Sequence, residues 1–104
     1  MPENQKTEYK ESWRDEFMKH ICAFANSQGG CLYVGIKDNG DVVGVHEGKK
    51  LLEDIPNKVI QLLGITVDIE LIDKTNKDVI VIKVLPSSVP ISFHSKYYVR
   101  SGSA

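Results

Sequence analysis

Three carboxylates, Glu3 and Glu8 flanking the first strand and Asp38 at the tip of the first hairpin, could hold a divalent cation if they met in space. Mg²⁺ and Mn²⁺ take hard oxygen ligands, and such an ion stabilises the charge that develops on the attacking and leaving oxygens when a phosphodiester is cut. The chemistry requires the three to converge; carboxylates scattered on a solvated face would show the same spacing. Lys10, Arg14, Lys37, Lys96 and Arg100 are the nearest basic residues, with Tyr9, Tyr97 and Tyr98 among them. Cations on a sheet surface hold phosphate and aromatic rings stack bases, so this mixture reads as a nucleic-acid contact. Its plainer reading is half-exposed strand tyrosines beside solvated lysines. Gly29-Gly30 is first a helix-ending turn, and its missing side chains also let a ligand approach the backbone closely.

Other chemistries lack their motifs. Gly44-Val45-His46-Glu47-Gly48-Lys49-Lys50 has the wrong spacing for a phosphate-cradling P-loop and no Ser or Thr after the lysine. No GxSxG nucleophile elbow occurs. His20, Cys22, Cys31, His46 and His94 show no standard zinc spacing.

The elements that must position these residues follow from periodicity. Thr7–Lys10 suits a short strand. Ser12 followed by Asp15 resembles a capping box and predicts a helix over Trp13–Ser27, with Phe17, Ile21 and Phe24 on one face. A glycine of Gly29-Gly30 ends it. Cys31–Ile36 alternates as a strand, and Asn39-Gly40 predicts a type I′ hairpin returning through Val42–Val45. Lys49–Leu63 has a helical apolar stripe that Pro56 is expected to break or restart, with Gly64 at its end. Ile65–Ile72 alternates as a strand with one wet face. Residues 73–77 form a loop. Val79–Leu85 is nearly all apolar, as a central strand covered on both faces would be. Tyr97–Arg100 reads as a last short strand. The expected class is α+β, a mainly antiparallel sheet with two principal helices packed on it.

Composition bounds the function. One domain over 1–104 fits the length, and 41% apolar residues suffice for a core without staples. Cys22 and Cys31 sit in apolar stretches and read as buried thiols rather than a disulfide framework. No apolar run is long enough to span a bilayer, and the N-terminus lacks the apolar core of a signal peptide, so a cytoplasmic location is expected. The net charge is −1, with seven Lys/Arg against eight Asp/Glu in residues 1–52. Bulk electrostatic grip on DNA is therefore disfavoured, and any contact must use a local patch, a partner domain or a second copy of the chain.

Taken in order, Glu8-Tyr9-Lys10, Ala23-Phe24-Ala25-Asn26, Gly29-Gly30, the strand reaching Gly35-Ile36 and the turn Asp38-Asn39-Gly40 resemble the Schlafen AlbA-2 domain. Val43-Gly44, Pro86-Ser87-Ser88 with Pro90, and Tyr98-Val99-Arg100-Ser101-Gly102 continue the match to nearly the whole chain. The resemblance implies an AlbA-like fold and a nucleic-acid-binding, DNA-binding role, commonly in bacterial transcriptional regulators. In these a winged-helix region often follows, which this sequence, ending at Ala104, does not include. It also implies a rival activity, because animal Schlafen relatives cut transfer and ribosomal RNA with three acidic residues, two of them spaced as Glu3 and Glu8 are. Asp38 is the matching third.

The expected function is thus nucleic-acid binding, to DNA or RNA, through Lys10, Arg14, Lys37 and Arg100 with backbone approach at Gly29 and Gly30. No cofactor is expected. The alternatives are a Mg²⁺- or Mn²⁺-dependent endoribonuclease using Glu3, Glu8 and Asp38, and a protein-interaction module. A homodimer is a possible assembly; a membrane partner is not expected.

Overall fold

The computed structural model describes residues 4–101. β1 (Thr7–Lys10) leads through a 3₁₀ turn (Asp15–Phe17) into α1 (Met18–Ala25), and β2 (Gly30–Val34) follows. After a long loop come α2 (Gly48–Leu63), β3 (Asp68–Lys74) and β4 (Lys77–Val84). The sheet order is β1-β2-β4-β3. β2 and β4 pair antiparallel, as do β3 and β4, whereas β1 and β2 run parallel, with Glu8 opposite Leu32 and Lys10 opposite Val34. The sheet is therefore mixed, with the expected antiparallel pairing in its larger part. The parallel pair arises because β1 returns to β2 through a helix, which reverses the chain twice.

Both helices lie on one face. α1 is buried nearly all round, from Met18 and Ile21 to Phe24 and Ala25. Its small residues Cys22, Ala23 and Ala25 let it sit close to the strands. α2 is amphipathic and buries Ile55, Val59 and Leu63, which recur every fourth residue. These side chains meet Leu32, Val34, Ile80, Ile82 and Val84 from the two inner strands. The opposite face of the sheet carries a smaller cluster of Tyr9, Ile36 and Val79, flanked by Tyr33, Ile72 and Val81. β4 thus has apolar contacts on both faces, as its sequence required.

Several expected boundaries moved. The first helix begins as the 3₁₀ turn, and no side chain caps it. Asp15 instead accepts hydrogen bonds from Trp13 Nε1 and from Lys58. Pro56 lies inside α2 without ending it. A proline there costs about 3 kcal/mol, which the apolar contacts on both sides of it, from Leu51 to Leu63, offset. The Cys31–Val45 hairpin is reduced to one bridge, Ile36 to Val42, beyond the end of β2. Its place beside β2 is taken by β4. The left-handed pair of a type I′ turn occurs instead at Thr75 and Asn76, where β3 turns into β4. Tyr97–Arg100 joins no strand. Gly64 ends α2 in the left-handed conformation, as expected.

Candidate functional site

Glu8 points from β1 toward the helices, on the same face as Leu32, and is buried. Its Oε1 accepts a 2.7 Å hydrogen bond from Arg100 Nη1, and its Oε2 lies 3.2 Å from Lys10 Nζ. Burial alone would raise the carboxyl's pKa. The Arg100 hydrogen bond, the nearby His20 and Lys10 outweigh it and hold the group below its ordinary 4.5. His20 Nδ1 is 4.0 Å away. Burial lowers the imidazole to about 4 against the pull of Glu8, with Lys10, Lys19 and Arg100 adding to the effect. At neutral pH His20 is uncharged, so Glu8 is balanced by Arg100 and Lys10. The sequence offered His20 only as a zinc ligand without standard spacing; its position three residues after Phe17 was the available signal for this role.

Arg100 was expected to meet phosphate. Its side chain is instead 1% exposed, and every nitrogen of its guanidinium is engaged within the protein. Nε donates to the Gln5 carbonyl, and Nη2 to those of Asn4 and Thr7. The group also stands 4.7 Å over the Phe24 ring. Arg100 thereby ties the last described segment to the first strand. The end of α1 holds the same segment. Asn26 Nδ2 donates to the carbonyls of Ile91 and Tyr98 and Oδ1 accepts from Ile91 N, while Ser27 Oγ accepts from Arg100 N.

Gly29 and Gly30 permit a close approach, and the chain itself occupies it. A Cβ on Gly30 would stand 2.5 Å from the Phe24 ring, and one on Gly29 would stand 2.6 Å from the Val84 carbonyl. Gly29 also takes φ of +77°, which closes the turn into β2.

The remaining cations are more open. The carbonyl of Lys10 accepts from both Gly35 N and Ile36 N, which brings the C-terminal end of β1 against the segment leading to Lys37. Lys10 is partly exposed and lies 5.0 Å over the Phe17 ring. Arg14, four residues on, has a side chain 70% exposed and only a 3.8 Å contact with Glu16. Lys37 and Asp38 are exposed on a turn closed by Gly40 N donating to the Lys37 carbonyl. Asp38 lies beyond the Lys10 end of β1, and Glu8 faces inward from the middle of it. Glu3 lies outside the described residues. Among the described residues no three His, Cys, Asp or Glu side chains gather as a metal site would require. For Glu8 to bind a cation it would have to exchange Arg100 and Lys10 for the ion.

Both thiols are free, and burial pushes both above their ordinary pKa. Cys22 is buried and donates to the Ile91 carbonyl, whereas Cys31 is only half-buried, on the sheet face away from the helices. Protonated thiols are poor nucleophiles and poor metal ligands. No helix of the described residues is long and apolar enough to cross a membrane.

The model of the Schlafen AlbA_2 family matches residues 3–104. The DIP2311 protein of Corynebacterium diphtheriae shares the fold with a TM-score of 0.81 at 21% identity, over 96% of this chain and 24% of that one. This chain thus spans about a quarter of that protein's length. The N-terminal domain of a RecG-related protein of Nitrosomonas europaea, named for an ATP-dependent DNA helicase, superposes with a TM-score of 0.66 at 22% identity. That match covers 95% of this chain and 78% of that domain.

Proposed function

We propose that this chain, which belongs to the Schlafen AlbA_2 family, is a nucleic-acid-contacting module whose phosphate-binding face lies at the C-terminal end of the parallel β1–β2 pair. One observation carries the reading. Separate segments bring Lys10 and Lys37 to that end of the sheet, and the chain leaving it presents the exposed Arg14. Ligands of open α/β sheets commonly bind beyond the carboxyl ends of parallel strands, which gives the location an analogy. A local cluster also accommodates the net charge of −1, since phosphate contacts need only a patch. The helicase-related name of the Nitrosomonas europaea protein points the same way. In a longer chain the module would serve as the contact part of a transcriptional regulator.

On this reading Arg100, Gly29 and Gly30 act as supports, and Lys10, Arg14 and Lys37 make the contacts. The test is anisotropy of labelled single- and double-stranded DNA and RNA across a salt series. Binding should be weak and salt-sensitive. Replacing Arg14 and Lys37 by Ala should weaken it on every sequence and reduce the slope of log K against log salt by roughly 1.4–1.8. Absence of binding to all four ligands at low salt would remove the reading.

A further inference from the structure

A cleft lies outside the Glu8 cluster. It measures about 600 Å³ and is lined by the apolar Trp13, Val43, Val45 and Leu51 and by the polar Glu11, Ser12, His46 and Glu47. Two glycines shape the segment that forms one of its walls. Gly35 and Gly44, both at positive φ, let the 43–46 segment fold against β4, where Val45 N donates to the Asp78 carbonyl. Trp13 is held in place before any ligand arrives. Its Nε1 donates to Asp15 Oδ1 at 3.0 Å, and it meets Phe17 edge-on at an interplanar angle of 83°. A half-buried, fixed aromatic ring beside aliphatic walls is a stacking platform for a flat ring.

We infer that this cleft takes an unpaired guanine base of the bound nucleic acid, stacked against Trp13 with its Watson–Crick edge toward Glu11 and Glu47. The inference rests on the nucleic-acid reading and adds a base specificity to it. The described lining contains no lysine or arginine, so a phosphate is not at home inside. Its carboxylates are acceptors only. Guanine offers adjacent N1–H and N2–H donors that one carboxylate accepts together; adenine and cytosine set an acceptor beside their amino group, and uracil flanks its single N–H with two acceptors. The cations are instead neighbours of the lining residues in sequence. Lys10 and Arg14 bracket Glu11-Ser12-Trp13 in the chain, and the exposed Lys49 and Lys50 follow Glu47. That order suits a nucleotide whose base enters while its phosphates stay outside.

Trp13 is the chain's one tryptophan, so its emission reports the cleft directly. GMP, AMP and UMP are titrated against it, and labelled single-stranded RNA oligomers differing by G for A are followed by anisotropy. GMP should quench Trp13 at about ten-fold lower concentration than AMP, and the G oligomer should bind correspondingly tighter. Glu47→Gln should abolish that preference while the oligomer still binds. Glu47 makes no side-chain capping bond to α2, so the variant keeps its fold. Oligomers that bind without moving Trp13 emission, or that bind equally with G and A, would overturn the base site and leave the phosphate face standing. GMP quenching without oligomer binding would uphold the cleft and remove that face. Silence in both would overturn both.

Discussion

Glu8 and Asp38 carry the same charge, each within two positions of a lysine, and occupy opposite environments. Glu8 is buried between Arg100, Lys10 and His20. Asp38 stands on an exposed turn whose own bonds are local: Gly40 N to the Lys37 carbonyl, and Asp41 N to Asn39 Oδ1. The glycines nearby repeat the contrast. A Cβ on Gly30 would strike Phe24, whereas one on Gly40 would meet nothing within 4 Å. The difference teaches that a charged residue in a motif can be a fastening of the fold or a solvated contact, and that burial decides which. A buried charge requires its partner; an exposed one exchanges partners with water at little cost.

The largest expected effect lies on the buried side. Arg100→Ala strands the Glu8 carboxylate and frees the carbonyls of Asn4, Gln5 and Thr7, so it should cost about 3–5 kcal/mol in denaturant unfolding. A cost below about 1 kcal/mol would place Arg100 at the surface and restore it as a phosphate contact. Acid sharpens the same comparison with a smaller change. His20 is protonated near 6.5 when unfolded and only near 4 when folded, so between these values the unfolded chain binds more protons and stability falls as pH falls. The loss should reach roughly 2–3 kcal/mol by pH 4. Glu8, also lowered by folding, extends the loss below about 4.5. His20→Gln should flatten the upper part of this profile; an unchanged profile would show that His20 is not the titrating group. Asp38→Asn should change stability by less than about 0.5 kcal/mol at any pH from 5 to 8. A larger effect would mean that the turn is held by its charge and the contrast with Glu8 is weaker than drawn.

Much of the fold was legible because it depends on near neighbours. The stripe that makes α2 amphipathic, the left-handed Gly64 that ends it, the alternation of β3 and the doubly apolar β4 are all written within a few residues. The Asn39-Gly40 hairpin turns where it was expected but pairs only briefly, for a tertiary reason. Type I′ geometry is a local preference, but β2 gains more by pairing with β4, whose Ile80 and Ile82 reach the core. Pro56 misled in the same way, since burial on both sides of it outweighs a local break. At the candidate site, the motif residues Glu8, Lys10, Asn26 and Arg100 could be picked out by type and order, but their roles could not.

Local pattern alone was enough to read an α+β chain, the places of its principal helices and most of its strands, and the charged residues that could do chemistry. Those properties follow from periodicity and side-chain type, which act over a turn of helix or a pair of strand positions. Long-range packing is what makes Arg100 neutralise Glu8, 92 positions away, leaves Gly30 to make room for Phe24, and brings Trp13 and Glu47 to one cleft. Pairing across such distances is set by how the sheet orders its strands and what the helices bury against them, and a desolvated charge then takes the partner that packing brings within reach.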